Sequence, residues 1–263
     1  HTHSAIAFEK AGILKPGVPA ISAVEHDAAA TVVARRAEAV GAPLVVARDV
    51  ADVQVAQQGD WGTRLQVECE PWGRFQLQMR LHGSHQRDNA RTALAILSRL
   101  TALGLRIDLP ALRKGFAEAR WAGRLEACPG KPRLWWDGAH NTDGLRRMCQ
   151  AWTDDLGFPP PAAIVFAAGR DKEARVMLTR LRMLAPAARV FVTRTANERA
   201  LSSEELLLMA YSAGITAVAA PSVHEALEAA FAAVPTGRVL LCGSLFAVGE
   251  AMRVFGGAPG EQV

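Results

Sequence analysis

The chain has 263 residues, of which 50% are hydrophobic and 21% are charged, a balance typical of globular proteins and not of disordered or fibrous ones. This length suits two ordinary domains, each with its own core. The net charge of +4 favours anionic small molecules over nucleic acid, because no basic block is interleaved with aromatic residues.

Membrane-spanning and secreted proteins are also excluded at this stage. The longest apolar runs, such as residues 162–168, are far too short to span a bilayer, and the first residues lack the basic start and apolar core of a secretory signal. The four cysteines are scattered, without the spacing of zinc ligands, which predicts buried thiols in a reducing compartment. We therefore expect a cytoplasmic protein and, since the chain does not begin with Met, a processed or truncated one.

The beginning of the chain alternates helices with strands. A short helix is predicted over 4–11, a strand over 18–22, a helix over 28–40 that stops at Gly41, and a buried strand over 44–47. The order strand, helix, strand predicts parallel pairing through a helical crossover.

Period-two alternation is the main feature of the next segment. Residues 53–56, 65–69 and 75–81 alternate apolar and polar side chains between turn clusters, which predicts a small antiparallel sheet with one solvated face. Helices are predicted over 88–103 and from Pro110 onward.

Regular alternation of strands and helices returns in the second half of the chain. The predicted strands are 134–136, 163–167, 190–193, 216–219 and 239–242, and the predicted helices are 143–156, 173–184, 203–212, 223–232 and 245–255. This pattern predicts an open, doubly wound sheet of Rossmann-like type. The fold class is therefore α/β, with a domain boundary expected between residues 122 and 123.

Candidate chemistry begins where the apolar strand in Leu134–Asn141 ends, because Asp137, His140 and Asn141 follow it directly. One interpretation is structural, with Asp137 capping the helix that starts near Thr142. The other is ligand binding, because ligands of open α/β sheets bind beyond the carboxyl ends of the strands. Further polar groups follow the other strands, namely Arg170, Asp171, Lys172, Arg194, Asn197 and the pair Gly243-Ser244. Such a mixture suits an anionic ligand or a nucleotide.

Several familiar signatures are missing from the 263 residues. No Gly-x-Gly-x-x-Gly fingerprint follows a predicted strand, and Gly130-Lys131 lacks the other residues of a phosphate-binding loop. Nothing in the sequence relates a serine to the seven histidines, so a Ser-His-Asp triad cannot be argued.

Four segments in order along the chain resemble the folylpolyglutamate synthase and dihydrofolate synthase family, relatives of the Mur ligases. They are Ile6–Pro19 with Glu-Lys-Ala-Gly-Ile inside it, His85–Ala90, Gly123–Glu126 followed by Asp137–Asn141, and Leu241–Leu245. The resemblance implies that residues 1–122 are the remainder of a P-loop-type ATPase domain with a small antiparallel sheet. It also implies that residues 123–263 are a Rossmann-like C-terminal domain.

The resemblance implies an ATP-dependent ligase. In this family ATP phosphorylates the carboxylate of dihydropteroate or folate, and the amino group of L-glutamate attacks the acyl phosphate. By the family pattern Asn89, Arg124 and Asp137 contact ATP, while His140 and Ser244 lie near glutamate. Asp137 suits the ribose hydroxyls and Arg124 the phosphates. Family members are usually monomers, so a monomer is expected. The expected partners are the small-molecule substrates, without nucleic acid or membrane.

Lys10 corresponds to the family's carbamylated lysine. A carbamate is an anion with hard oxygen donors, which suits Mg²⁺ where an ammonium would not. Read without the motif, Lys10 is an ordinary lysine in the last turn of a helix, where the helix dipole favours a positive charge.

The family's phosphate-binding loop and two magnesium ligands lie upstream of the Lys10 motif, and the 263 residues do not contain them. We therefore expect a truncated synthase with absent or very weak activity in isolation. Two alternatives stay open at this stage. One is a stand-alone nucleotide- or anion-binding module that acts with a partner chain, and the other is a Mur-type ligase of a peptidoglycan precursor, which the Lys10 motif disfavours.

Overall fold

The computed structural model describes residues 2–258, which form two compact units. The first unit comprises the residues up to Gln57 together with Thr63–Met79 and Ser84–Glu118. The second comprises Gln58–Gly62, Arg80–Gly83 and the residues from Ala119 onward. Because the units interleave along the sequence, the single boundary expected between residues 122 and 123 stays a prediction.

The elements of the first half follow the predicted order. They are α1 (His3–Lys10), β1 (Ala20–Ser22), α2 (Asp27–Val40), β2 (Leu44–Val46), β3 (Ala51–Gly59), β4 (Gly62–Cys69), β5 (Gly73–Met79), α3 (His85–Ala102) and α4 (Leu109–Glu118). Strands β1 and β2 pair in parallel, as predicted. The predicted strand over 44–47 is present at Leu44–Val46, but the prediction that it is buried was wrong, because β2 belongs to a sheet of two strands and its side chains are only half-buried. Ala47 is buried but already belongs to a 3₁₀ turn.

A separate three-stranded sheet of order β3-β4-β5 carries the core of the first unit. Side chains alternate between buried and exposed along β4 and β5, which pair antiparallel and confirm the predicted wet face. The buried face packs against α3 and α4 through Leu65, Leu77, Leu94 and Leu112. An apolar face on the sheet and an apolar stripe on each helix together account for this core.

The second unit contains a six-stranded sheet with helices on both faces. Its elements are β6 (Glu126–Cys128), β7 (Lys131–Asp137), α5 (Thr142–Gln150), β8 (Ala163–Phe166), α6 (Ala174–Leu184), β9 (Arg189–Thr193), α7 (Ser203–Ser212), β10 (Ala217–Ala220), α8 (Val223–Ala233), β11 (Val239–Cys242) and α9 (Leu245–Phe255). The strand order is β10-β9-β8-β11-β7-β6, in which all neighbours are parallel except the antiparallel pair β6 and β7. The α/β class with a Rossmann-like sheet is therefore confirmed.

Alternate residues of each central strand enter two different cores. Trp135, Ile164 and Leu240 pack against α5, α6 and α7, whereas Trp136 and Leu241 pack against α8 and α9 on the other face. A parallel sheet covered on both faces needs apolar residues at consecutive positions, which explains the uninterrupted apolar runs of these strands. The four cysteines are free and buried, as predicted.

Strand β6 was not predicted. It has only three residues, with a register shift between Ala127 and Cys128, and a segment this short shows no periodicity. The predicted helix 143–156 is α5 followed by one π-helical turn, Ala151–Asp155. Helix α7 begins with a capping box formed by Ser202 and Glu205. None of the helices formed by residues 2–258 is long and apolar enough to cross a bilayer.

Candidate functional site

The polar residues of the second unit meet at the carboxyl ends of β7 and β11, which are neighbouring parallel strands. Asp137, the last residue of β7, pairs in register with Cys242, the last residue of β11. His140 therefore follows the end of one strand and Ser244 follows the end of the next. The expected strand-end cluster is formed at this edge of the sheet, in agreement with the rule for open α/β sheets.

Asp137 is 7% exposed and is held by backbone amides. One carboxylate oxygen, Oδ2, accepts the Leu125 N–H at 2.8 Å, and Oδ1 accepts the Ala139 N–H at 2.7 Å. Burial raises the pKa of Asp137 from 3.8 to about 6, although these two hydrogen bonds and the nearby Arg124 act in the opposite direction.

The interpretation of Asp137 as a helix cap was wrong. Asn141 is the N-cap of α5, and its Oδ1 accepts the Gly144 N–H at 2.7 Å. Asn141 is adjacent to the first residue of the helix, whereas Asp137 precedes that residue by five positions and bonds instead to the chain beside β7.

A tight turn formed by Gly123, Arg124 and Leu125 lies against the end of β7. The Gly138 N–H donates to the Gly123 carbonyl oxygen at 2.7 Å, so the turn is joined to the strand end through its backbone. A Cβ atom placed on Gly138 would lie 3.3 Å from Nη1 of Arg124 and 2.6 Å from Cδ1 of Leu245. The Arg124 guanidinium therefore lies over the Gly138 backbone, and the lack of a side chain at position 138 makes room for it.

His140 exposes its ring at the same edge of the sheet. Its Nδ1 lies 3.0 Å from the Gly138 carbonyl oxygen. Because a carbonyl oxygen only accepts hydrogen bonds, we assign the proton of the neutral ring to Nδ1. Nε2 then carries the free lone pair, so that it can accept a proton or a hydrogen bond from a ligand.

Ser244 is the N-cap of α9 and is 7% exposed. Its Oγ accepts the Ala247 N–H at 3.4 Å, which leaves the hydroxyl hydrogen able to donate. The preceding Gly243 has φ +97°, and a Cβ atom there would overlap Ala167 O and the Phe166 ring. The turn that presents Ser244 therefore depends on glycine at position 243.

Lys10 and Asn89 lie in the first unit, on two different helices. Lys10 is the exposed last residue of α1, a position that the helix dipole favours for a lysine. Asn89 is exposed on α3, and its Nδ2 donates to Gln86 Oε1 at 2.8 Å. The assignment of Lys10 as a carbamate and of Asn89 to ATP stays a prediction.

Other strand-end groups of the predicted cluster form ion pairs or hydrogen bonds with nearby protein groups. Nη1 of Arg170 lies 2.6 Å from Glu205 Oε1, and Nζ of Lys172 lies 2.6 Å from Asp171 Oδ2. Asn197 accepts the Arg199 N–H at 2.9 Å. These contacts, one to helix α7 and two within the loops, give Arg170, Asp171, Lys172 and Asn197 a structural explanation.

Side chains that could ligate a metal ion are not clustered in the part of the chain that the structure describes. Residues 2–258 contain no group of three or more His, Cys, Asp or Glu side chains that could hold one. Even with a carbamate on Lys10, the described residues do not make a complete set of protein ligands for Mg²⁺, so we assign no step to the metal.

Glu126 is a site residue whose role the sequence alone did not indicate. Its Oε1 accepts the Gly123 N–H at 2.8 Å and the Trp136 Nε1–H at 3.0 Å. Partners of backbone amides leave no pattern in a sequence. The available signal was a carboxylate near an apolar run rich in tryptophan, whose buried indole N–H needs an acceptor.

Comparisons with known proteins agree with this architecture. The family model described as Mur ligase, glutamate ligase domain, matches residues 123–245. The dihydrofolate synthase/folylpolyglutamate synthase of Bacillus subtilis is 31% identical over 188 residues, which are 71% of this chain and 44% of the relative. The corresponding protein of Mycobacterium tuberculosis is 30% identical over 78% of this chain and 43% of its own length.

Solved structures show the same similarity. The folylpolyglutamate synthase of Mycobacterium tuberculosis complexed with ADP superposes with a TM-score of 0.85 at 26% identity, covering 98% of this chain and 60% of that one. The enzyme of Thermotoga maritima superposes with a TM-score of 0.77 at 26% identity, covering 96% of this chain and 57% of that one. The chain thus spans less than half the length of the two relatives compared by sequence. It belongs to the folylpolyglutamate synthase and dihydrofolate synthase family of the Mur ligase superfamily.

Proposed function

We propose that this chain supplies nucleotide- and glutamate-binding residues to an ATP-dependent ligase that joins L-glutamate to dihydropteroate or a folate. The observation that carries the proposal is the arrangement at the end of β7, where Arg124 lies over Gly138 beside the buried carboxylate of Asp137. A fixed cation next to a fixed hydrogen-bond acceptor suits the phosphates and the ribose of one nucleotide.

The reaction has two steps. ATP transfers its terminal phosphoryl group to the substrate carboxylate, which gives an acyl phosphate and ADP. The amino group of glutamate then attacks the acyl carbon, and phosphate leaves as the amide forms. Positioning and charge neutralisation dominate phosphoryl transfer, and Arg124 supplies a positive charge for that purpose. Each oxygen of Asp137 accepts one backbone N–H and keeps a lone pair for a ribose hydroxyl.

His140 and Ser244 suit the incoming glutamate. The free lone pair on His140 Nε2 accepts a hydrogen bond or a proton from the ammonium group, which must lose a proton before it attacks. The Ser244 hydroxyl donates to a carboxylate of the same molecule. In the first unit, Asn89 contributes to ATP binding and a carbamate on Lys10 would supply oxygen donors toward Mg²⁺.

Isothermal titration calorimetry with ADP and the 263-residue chain tests this proposal. Arg124→Ala is expected to weaken ADP binding at least tenfold, because it removes the positive charge beside the phosphates. Arg175→Ala removes an exposed arginine from α6, on the same unit, and should leave the affinity unchanged. No saturable binding by the unmodified chain, or an equal loss in both variants, would contradict the proposed role.

A further inference from the structure

The turn that carries Arg124 has an unusual backbone for its sequence. Leu125 has φ +40°, and among residues 2–258 it is the one residue other than glycine with a positive φ. Gly123, two positions earlier, has φ +75°. A left-handed conformation costs a residue with a side chain roughly 1–2 kcal/mol, so the surrounding structure must hold the turn in place.

Three hydrogen bonds hold this turn. Two come from the end of β7, where the Gly138 N–H donates to Gly123 O at 2.7 Å and Asp137 Oδ2 accepts the Leu125 N–H at 2.8 Å. The third comes from β6, where Glu126 Oε1 accepts the Gly123 N–H at 2.8 Å. The N–H groups at both ends of the turn, on Gly123 and Leu125, therefore each donate to a carboxylate.

Glu126 also joins the turn to the core of the unit. The same Oε1 atom accepts the indole N–H of Trp136 at 3.0 Å, and Trp136 is fully buried in the sheet. The other oxygen, Oε2, accepts from Nε of Arg120 at 3.2 Å. Glu126 and Trp136 are register partners of β6 and β7, and the Glu126 side chain is 19% exposed. One oxygen atom thus links the turn to a fully buried side chain of the sheet.

We propose that Glu126 is a positioning residue that fixes the Gly123–Leu125 turn and so places the Arg124 guanidinium over Gly138. Glu126 does not touch the nucleotide and acts through Arg124. The inference rests on the proposed nucleotide role of Arg124. It goes beyond that role because it assigns the preorganisation of the arginine to one oxygen of a neighbouring side chain.

The bonding pattern predicts which changes at position 126 are tolerated. Glu126→Gln keeps a carbonyl oxygen for both the Gly123 and the Trp136 N–H groups and loses only the charge that faces Arg120. ADP affinity should then stay within about threefold of the original. Glu126→Asp keeps the charge but is one methylene shorter, which withdraws the oxygen from Gly123. Its ADP affinity should fall about tenfold, and that of Glu126→Ala should fall at least as far.

Two control variants separate the contacts of Glu126. Among the contacts of Glu126, Arg120→Ala removes only the one at Oε2, and it also removes the Arg120 hydrogen bond to the Gly257 carbonyl oxygen. It should leave ADP affinity within about twofold. Trp136→Phe removes the indole N–H but leaves the bond to Gly123. It should therefore lower the free energy of unfolding by more than it weakens the free energy of ADP binding. If Arg120→Ala weakens binding as strongly as Glu126→Asp, charge pairing and not the turn explains the effect, and the proposal fails.

A double-mutant cycle tests whether Glu126 acts through Arg124. In the Glu126→Asp background, Arg124→Ala should weaken ADP binding by less than about threefold, because the arginine has already lost its position. Full additivity of the two losses would overturn the inference.

Hydrogen exchange of the Gly123 amide provides a readout that does not depend on ADP. Its protection should persist in Glu126→Gln and be lost in Glu126→Asp, while amides in the centre of β11 stay protected in both. Should the original chain fail to bind ADP, the proposed function fails, and the exchange data still decide whether Glu126 holds the turn. Equal protection of the Gly123 amide in Glu126→Gln and Glu126→Asp would contradict the claim that Glu126 holds the turn.

Discussion

Strands β2 and β11 are both short apolar runs, yet their surroundings in the two units differ. All four residues of β11 are buried, because parallel neighbours flank the strand and helices cover both faces of its sheet. The three residues of β2 are only half-buried, in a sheet of two strands. An apolar run therefore predicts a strand, but its neighbours decide how much free energy its burial contributes.

The candidate site residues differ between the units in the same way. Asp137 and Ser244 in the second unit are buried and hydrogen-bonded to backbone amides, whereas Lys10 and Asn89 in the first unit are exposed on helices. Substitutions of these two buried residues should therefore change stability and ligand binding together. Substitutions of the exposed residues in the first unit should change function with little effect on stability.

The largest expected effect compares glycines of similar conformation in the two units. Gly243 (φ +97°) and Gly41 (φ +69°) both have left-handed backbones, but only at Gly243 would a Cβ atom overlap its neighbours, Ala167 and Phe166. Gly243→Ala should lower the free energy of unfolding by more than about 4 kcal/mol or prevent folding. Gly41→Ala should cost about 1–2 kcal/mol. Urea unfolding measures both, and equal losses would contradict the packing described around Gly243.

A second pair of effects concerns the pH dependence of stability in the second unit. Burial raises the pKa of Asp137 to about 6, so between pH 4 and 6 the folded protein keeps a proton that the unfolded chain releases. Stability then falls as the pH rises through this window, by about 3 kcal/mol from this group alone.

His82 changes the pH dependence of stability in the opposite direction. It is buried beside Trp135, with ring centroids 5.5 Å apart, and burial lowers its pKa to about 4 although Asp60, Glu126 and Asp155 act to raise it. Between pH 6.5 and 4 the unfolded chain takes up a proton that the folded one refuses. Stability then falls as the pH falls, again by about 3 kcal/mol.

Variants separate these two contributions. In urea unfolding from pH 4 to 7, Asp137→Asn should make stability rise more steeply with pH than in the original chain. His82→Gln should change the slope in the other direction, so that stability falls as the pH rises, because only the contribution of Asp137 is left. If neither variant changes the slope, the two groups are not buried as described.

The smallest effect on stability is expected at Lys10, where Lys15 offers an exposed control five residues away. Lys10→Arg and Lys15→Arg should each change the free energy of unfolding by less than about 0.5 kcal/mol. With ¹³C-bicarbonate, NMR should show a carbamate signal that is lost in Lys10→Arg and kept in Lys15→Arg. A signal that survives in Lys10→Arg would contradict carbamylation at this position.

The sequence was most informative where burial imposes a pattern. The apolar runs of β7 and β11 predicted both strands. Because the two strands are parallel neighbours, the prediction that Asp137, His140 and Ser244 lie at one edge of the sheet is also confirmed. The small antiparallel sheet was predictable because one face is wet. Its alternation is therefore visible in the sequence.

Short elements and backbone contacts could not be predicted. Strand β6 has three residues and no periodicity, so the register that places Glu126 beside Trp136 could not be predicted. The left-handed Leu125 was equally unpredictable, because leucine rarely adopts that conformation and tertiary contacts impose it here. The half-burial of β2 depends on its neighbours and not on its own residues.

The measurement that tests the central claim most directly is an ADP titration followed by ¹H–¹⁵N NMR of the backbone amides. The turn Gly123–Leu125 and the segment Asp137–His140 should show saturable chemical-shift changes with one common dissociation constant, and the amides of Leu125 and Ala139 should report the contacts of Asp137. In Arg124→Ala these changes should need at least tenfold more ADP. Shifts confined to other parts of the chain, or none at all, would contradict the assignment of this turn and strand end to the nucleotide.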